Sequence, residues 1–282
     1  MPRAGIVVSL LTDVDIIGNK VRNSFGGIAA VGQQTGVVRI ADNSCTTGVA
    51  AGASTPYCIR IGSGANGSSN TSRHIVSNNY IEITTTATNS IFAVSSTGAR
   101  FGDVEISGNT VNGGSNGLNF QNQFVAGTYV QKNNKFGGVS NNFMASVAGL
   151  TGATATIMGD VYDGTGGVNG NGLLVSSDTV ALSNLKFMNR TSGAVPMFSA
   201  AGACGSIQGF QFDNVVQAAQ VAATSLGLVN PSGCTLNYGQ VVQNLNPAEI
   251  GAAASKYVVD HWAHISTTAS TTHLEQRQLT GN

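Results

Sequence analysis

The 282-residue sequence predicts an all-β fold, a right-handed parallel β-helix (solenoid) of about seven coils. One observation is a short motif of apolar residues around an Asn, which returns about every 30 residues. Another is the low charge: 13 basic and 13 acidic residues make 9% of the chain, against ~25% in an average protein. Solubility must therefore come from Ser, Thr, Asn, Gln and Gly. That composition suits the outside of a β-rich protein better than helices covered with Glu and Lys.

The recurring motif is an apolar residue, two spacers, an Asn, one spacer and a second apolar residue. It occurs at Ile16–Val21, Ile40–Cys45, Val76–Ile81, Ile106–Val111 and Val139–Met144. Leu182–Phe187 keeps the apolar positions with Leu185 in the Asn place, and Gln211–Val216 is a weaker match that carries Asn214. The intervals are irregular, which excludes a strict leucine-rich or ankyrin array. A solenoid with loops of variable length accommodates them.

The chemistry of the motif explains why it would build coils. Alternating apolar residues place every second side chain inside, and Asn at the turn tolerates left-handed backbone and bonds to neighbouring backbone groups. Equivalent Asn residues in successive coils would stack ~4.8 Å apart as an amide ladder. The predicted ladder consists of Asn19, Asn43, Asn79, Asn109 and Asn142. The alternative is an antiparallel sandwich with Asn-Gly hairpins, whose turns would fall every 8–12 residues.

The two ends of the repeat lead to different expectations. No amphipathic helix precedes Asn19, so we expect another domain, subunit or neighbouring protein to cover the strand edge of the first coil. After the β-helix of residues 1–245, Asn246-Pro247 and Glu249 resemble a helix start. The sequence therefore predicts a helix over residues 246–265 that caps the last coil or forms a subunit contact through Trp262. Residues 266–282 are predicted to be a flexible or partner-ordered tail.

Several classes of function and cofactor lack a signal. There is no basic run for nucleic acid, no apolar run long enough for a membrane span, and no full signal-peptide core at the start. No cofactor fingerprint or metal spacing appears, so we expect no cofactor and no metal. The four cysteines favour buried free thiols over a disulfide. The separation of Cys204 and Cys234 predicts adjacent coils for that pair.

Glycan cleavage would need converging carboxylates, or a base beside an Arg or a metal. The acidic pairs are Asp13 with Asp15, Asp103 with Glu105, and Asp160 with Asp163. The candidate catalytic residues are Asp160, Asp163, Asp103 and Glu105. Turn chemistry at Asp163-Gly164 and a solvated strand face at Asp103 and Glu105 are the structural alternatives. Tyr162 and Tyr129 are the candidate carbohydrate-binding residues, because aromatic rings can stack on sugars; Tyr57 and Tyr80 could do the same.

From about Val14 to Leu245, the Asn-turn motif resembles the repeat of the right-handed parallel β-helix superfamily, which includes pectate lyases and phage tailspikes. The resemblance implies a virion-associated tailspike or tail-fibre protein, a homotrimer or part of a larger viral assembly, that contacts host-surface polysaccharide in the virion or outside the cell. The alternatives are a polysaccharide lyase or glycoside hydrolase, and an architectural capsid-surface or adhesin solenoid without catalysis. The fold hosts many functions, so the site must decide among them.

Overall fold

The computed structural model is an all-β parallel solenoid, as predicted. Its strands form three rows that run along the stack of coils, and each of the first seven coils contributes one strand to each row. The structure describes residues 4–9, 12–22, 26–33, 35–47, 57–63, 72–84, 89–95, 101–120, 123, 125–138, 143–148, 150, 154–165, 171–177, 180–190, 197–215, 234–236, 241–244, 249, 251–252, 254–264 and 273–280.

The strands follow one another through the rows in a fixed order. Row 1 contains β1 (Ala4–Ser9), β4 (Gly26–Gln33), β7 (Tyr57–Ser63), β10 (Asn89–Ser95), β13 (Asn116–Asn119), β16 (Phe143–Ala148) and β19 (Asn171–Ser177). Row 2 contains β2 (Val14–Ile17), β5 (Val37–Ala41), β8 (Arg73–Ser77), β11 (Asp103–Ser107), β14 (Thr128–Lys132), β17 (Thr154–Met158) and β20 (Val180–Ser183). Row 3 contains β3 (Lys20–Arg22), β6 (Ser44–Thr47), β9 (Tyr80–Ile83), β12 (Thr110–Gly113), β15 (Lys135–Gly137), β18 (Val161–Asp163), β21 (Lys186–Arg190), β23 (Gln211–Val215) and β25 (Val241–Asn244).

Within each row, the strands of successive coils pair in parallel. The long strand β22 (Phe198–Gln208) joins rows 1 and 2, because it pairs with β19 near its start and with β20 near its end. It also pairs with β24 (Cys234–Leu236), which places Cys204 opposite Cys234 and confirms the expected adjacency of their coils.

Alternation along each strand creates the core. In β11, for example, Val104 and Ile106 are buried while Asp103 is exposed. The same alternation in the other rows fills the interior with Ile, Val, Leu and Phe side chains. Two aromatic groups extend through several coils: Phe136, Tyr162 and Phe187 stack with nearly parallel rings, and Phe101 and Phe120 lead to Tyr129.

The predicted C-terminal helix is wrong where the structure describes this region. Tyr257–His264 form strand β26, which pairs antiparallel with β25 and with β27 (His273–Leu279). The sequence from Tyr257 is rich in β-branched and aromatic residues, and a free edge of row 3 is available to it, so strand pairing prevails over the helix-start signal. Part of the predicted tail therefore lies in β27.

The expectation of free thiols is wrong for two of the four cysteines. Cys45, in β6, and Cys58, in β7, form a disulfide with a Cα–Cα distance of 6.0 Å. Both residues are buried in the core. The bond joins row 3 of one coil to row 1 of the next and closes the connection between them. The sequence separation of 13 residues gave no spacing signal that would identify this pair.

Candidate functional site

A ladder of side-chain amides lines the corner between rows 2 and 3. In each step the backbone N–H and the side-chain Nδ2 of one Asn donate to the Oδ1 of the Asn in the next coil, at 2.9–3.1 Å. The rungs are Asn19, Asn43, Asn79, Asn109 and Asn134. From Asn43 onward, each Nδ2 also donates to a row 2 carbonyl of the preceding coil. The donors that bond to the next amide therefore all point along the solenoid in one direction, and the second Nδ2 bond points back to the preceding coil.

The fifth rung differs from the predicted one. Asn142 lies outside the described residues, and Asn134 occupies the next ladder position after Asn109. The motif search missed Asn134 because Gln131 stands where the motif has an apolar residue. Asn214 is not a rung either: the residue in register is Phe210, since the Gln211 N–H donates to the Leu185 carbonyl.

The ladder ends on a buried carboxylate. Asp160 accepts from the Asn134 backbone N–H at 2.7 Å and from Asn134 Nδ2 at 3.1 Å through Oδ1. Its Oδ2 accepts from Gln131 Nε2 at 2.6 Å and from the Tyr162 hydroxyl at 3.2 Å. Burial raises the pKa of Asp160 to about 6, although all of these hydrogen bonds favour the carboxylate. Because Asp160 is 0% exposed, it is not available to an external glycan, and its position is that of a ladder terminator.

The predicted carbohydrate-binding residues Tyr129 and Tyr162 are also inside the solenoid. Both are 0% exposed; the Tyr129 hydroxyl donates to Gln131 Oε1 at 2.8 Å, and Tyr162 stacks between neighbouring rings. Burial raises the pKa of both tyrosines well above the ordinary value. Tyr129 shares the inner face of β14 with Gln131, and Tyr162 is the buried middle residue of β18, so neither ring can stack on a bound sugar.

Asp163 lies on the outside of β18, away from Asp160. Its Oδ1 accepts from the Thr165 N–H and from Asn189 Nδ2, both at 3.0 Å. Partial burial raises the pKa of Asp163, but the hydrogen bonds from Thr165 and Asn189 outweigh it and hold the pKa below the ordinary value. Lys135, on the preceding coil, adds to this lowering. Asp163 is thus a stably ionised carboxylate on an outer face.

Asp103 and Glu105 lie on row 2 and do not meet the other two candidates in one site. Asp103 Oδ1 accepts from the Thr128 N–H at 2.8 Å, a contact that tethers the next strand of the row. Glu105 Oε1 lies 3.0 Å from Lys132 Nζ, and Glu105 Oε2 lies 3.4 Å from Arg73 Nη2. The hydrogen bond from Lys132 is the largest influence that lowers the pKa of Glu105. Both carboxylates therefore have structural partners.

One buried titratable group is not among the candidate site residues. His74 is 0% exposed and lies edge-on to Phe101 with ring centroids 5.1 Å apart, and its Nε2 has no hydrogen-bond partner among the described residues. Burial lowers the pKa of His74 to about 4. This histidine belongs to the core, and no signal in the sequence separates it from a surface one.

The outer face of row 3 is the most suitable surface for a ligand. The burial pattern exposes the first residue of β3, β9 and β15, and it exposes the third residue of β3 and β9 as well. The first positions align into what we call the Tyr80 column: Lys20, Ser44, Tyr80, Thr110, Lys135, Val161, Lys186 and Gln211. Tyr80 is 43% exposed and is the one aromatic side chain in the described part of the chain that is exposed to this degree.

No group of three or more His, Cys, Asp and Glu residues suited to a metal ion occurs among the described residues. Within the same residues, no helix is long and apolar enough to cross a membrane. Comparisons with protein-family models, curated proteins and solved structures found no match to this chain.

Proposed function

We propose that this solenoid binds a cell-surface polysaccharide and serves as a tailspike- or tail-fibre-like component of a phage virion. The observation that carries the proposal is the exposed ring of Tyr80 on a regular face, with Ser44 and Thr110 in register on either side. An aromatic ring offers an apolar face to the C–H groups of a sugar, and neighbouring hydroxyls supply hydrogen bonds.

The rigidity of the face supports binding. Parallel strands hold Tyr80 in register with Ser44 and Thr110, so the ring and hydroxyls lose little conformational freedom when a glycan binds. Such a surface differs from a deep enzyme cleft, and it suits a long polymer that makes many weak contacts along the rod.

The test is binding of the intact protein to a panel of capsular polysaccharides and O-antigens. Tyr80→Ala should weaken the strongest interaction roughly tenfold, the size expected for an aromatic anchor. Met158→Ala is the matched control, because Met158 is an exposed large side chain on row 2. Equal binding by wild type and Tyr80→Ala would reject this face as the binding surface.

A second candidate is glycan cleavage. Its supporting observation is that Asp163 and Lys135, a carboxylate and a cation, lie near each other on the same outer face as Tyr80. Release of new reducing ends or unsaturated products from a bound polysaccharide, lost in Asp163→Asn, would support an enzyme. Binding without product would favour an attachment protein.

Assembly into a homotrimer or larger viral structure belongs to the same proposal. Three exposed large apolar residues, Val7, Ile17 and Val37, lie in the first two coils, where a neighbouring subunit could cover them. Light scattering that gives three times the chain mass would support the trimer. A monomer with no virion association would favour an architectural or adhesin solenoid that acts alone.

A further inference from the structure

From the Tyr80 column we infer the class of polysaccharide: an anionic chain with one negative group on every second sugar, lying along the solenoid axis. This inference rests on the proposed polysaccharide binding and adds the charge pattern of the ligand. It comes from the order of residues that the register brings together, which are far apart in the sequence.

The Tyr80 column alternates between long and short side chains for its first five coils. Lys20, Tyr80 and Lys135 occupy alternate coils and are exposed, whereas Ser44 and Thr110 lie between them and are partly buried. The alternation continues with a third lysine, Lys186, two coils beyond Lys135, and the smaller Val161 lies in between. The column is thus a series of projecting groups with shallow gaps.

The spacing of the projecting groups sets the period of the ligand. Neighbouring parallel strands lie about 4.8 Å apart, so groups on alternate coils recur about every 10 Å. A single sugar unit in an extended polysaccharide has a length similar to one strand spacing, and a disaccharide therefore spans two coils. A sugar stacked on Tyr80 would place an acidic group of the adjoining disaccharide near Lys135.

The charges beside the column favour one position for the anions. The third-position residues of row 3 form a parallel line that begins with Arg22 in the first coil and then includes the carboxylates Glu82, Asp163 and Asp213. Lys186 Nζ lies 3.0 Å from Asp213 Oδ2, so its charge is partly neutralised. Lys135 is exposed and, among the described residues, forms no ion pair with an N···O distance of 4.0 Å or less. An acidic glycan would be repelled from the carboxylates of this line and attracted to the Tyr80 column, with Lys20 and Lys135 as its exposed cationic contacts.

The probe is hyaluronan, which carries one carboxylate per disaccharide, with its carboxyl-reduced form and polygalacturonate for comparison. Binding is measured by calorimetry at low ionic strength with the full chain. Hyaluronan should bind more tightly than its neutral form and than polygalacturonate, which has a carboxylate on every sugar. Lys135→Gln should weaken hyaluronan binding about 3–5-fold, as expected for one exposed charge contact. The difference should shrink as salt is raised.

Lys132→Gln is the matched control, because Lys132 lies on row 2 and pairs with Glu105. The affinity of Lys132→Gln for hyaluronan should equal that of the wild type. Absence of hyaluronan binding, equal binding of the carboxyl-reduced form, or no effect of Lys135→Gln would overturn the inference. If Tyr80→Ala still weakens binding to a neutral polysaccharide, the proposed function stands and only the charge pattern fails. If Tyr80→Ala affects no polysaccharide, the proposed function fails as well.

Discussion

The corner between rows 2 and 3 is built with different side chains in the two halves of the solenoid. From Asn19 to Asn134 the rungs are amides that bond to one another, and the series ends at Asp160. In the following coils the same place is taken by Leu185 and Phe210, which are buried in apolar surroundings. The backbone path is nevertheless the same, since Ser44 N–H donates to the Asn19 carbonyl just as Gln211 N–H donates to the Leu185 carbonyl.

The constant feature of the corner is the residue just before each rung. It has a positive φ, between 54° and 71°, in every coil from the first rung to Phe210. The residues are Gly18, Asp42, Asn78, Gly108, Asn133, Gly159, Asn184 and Gly209. Gly, Asn and Asp are the residues that adopt this conformation at least strain. The turn therefore depends on the left-handed residue, and the rung decides only how the interior is filled and how its polar groups are satisfied.

Asp160 explains how one half changes into the other. The carboxylate accepts from Asn134 on one side, and when ionised its side chain has no donor that requires an acceptor on the next coil. The next rung is Leu185, whose side chain has no hydrogen-bond acceptor. Beyond this point the stacked rings of Tyr162 and Phe187 contribute to the interior instead of amides.

The largest effect is expected from exchanging the rung chemistry of the two halves. Asn79→Leu would leave the N–H and Nδ2 donors of Asn43 buried without acceptors, a loss of about 3–5 kcal/mol in unfolding free energy. Leu185→Asn should lower the unfolding free energy less, by about 2 kcal/mol, because in the ladder geometry an amide oxygen at this position can accept from the backbone N–H of Asp160. Denaturant titration of both variants measures the difference. A greater loss for Leu185→Asn would contradict the distinction between the halves.

The pH dependence of stability should separate Asp160 from His74. The pKa of Asp160 is about 6 in the fold against 3.8 for the free group, so its contribution is present below pH 3.8 and is lost as pH rises through 6. The pKa of His74 is about 4 against 6.5, so its contribution is present above pH 6.5 and is lost as pH falls through 4. Each amounts to up to about 3 kcal/mol, and the two oppose each other between pH 4 and 6.

Single substitutions should expose each slope in unfolding titrations at several pH values. Asp160→Asn removes the pH-dependent contribution of Asp160 and keeps that of His74, so the unfolding free energy should fall when the solution is acidified from pH 6.5 to 4. His74→Leu retains Asp160, so the unfolding free energy should rise over the same acidification. Parallel pH profiles for the two variants would be inconsistent with these burial effects.

A smaller and equal effect is expected from the turn residue in both halves. Gly159 and Gly209 both have a φ of 66°, and a Cβ at either would meet the side-chain oxygen of the Asn one coil earlier. Gly159→Ala and Gly209→Ala should each lower the unfolding free energy by about 1–2 kcal/mol. Gly137→Ala is the control, because a Cβ there makes only ordinary contacts. Unequal losses for the two turn variants would show that the rung, and not the turn, sets the corner.

The sequence was sufficient for the fold class because alternation and the Asn turn are local signals. It also indicated four rungs, Asn19 to Asn109, that bond to one another in the structure. Asn134 was missed since the apolar position before it is Gln131. Its polar end bonds to Tyr129 on the same strand and to Asp160 in the next coil, and no local pattern contains the second contact.

The candidate site was harder to predict, because it depends on register between coils of unequal length. Asp160 and Asp163 look like one acidic pair in the sequence, but strand alternation and the turn send the first inward and the second outward. Lys20, Tyr80 and Lys135 are separated by connections of different lengths, so their alignment on row 3 emerges only when the coils are stacked.

The register of the fifth rung is the most direct test of this architecture, and disulfide trapping can measure it. Thr110 is opposite Lys135 if Asn134 is the rung, whereas it would be opposite Phe143 if Asn142 were. In-register Cα atoms of neighbouring strands are about 5 Å apart, within the range of a disulfide. Oxidised Thr110→Cys/Lys135→Cys should give a cross-linked peptide by mass spectrometry, and Thr110→Cys/Phe143→Cys should not. A cross-link in the second pair and none in the first would contradict the ladder from Asn19 to Asp160.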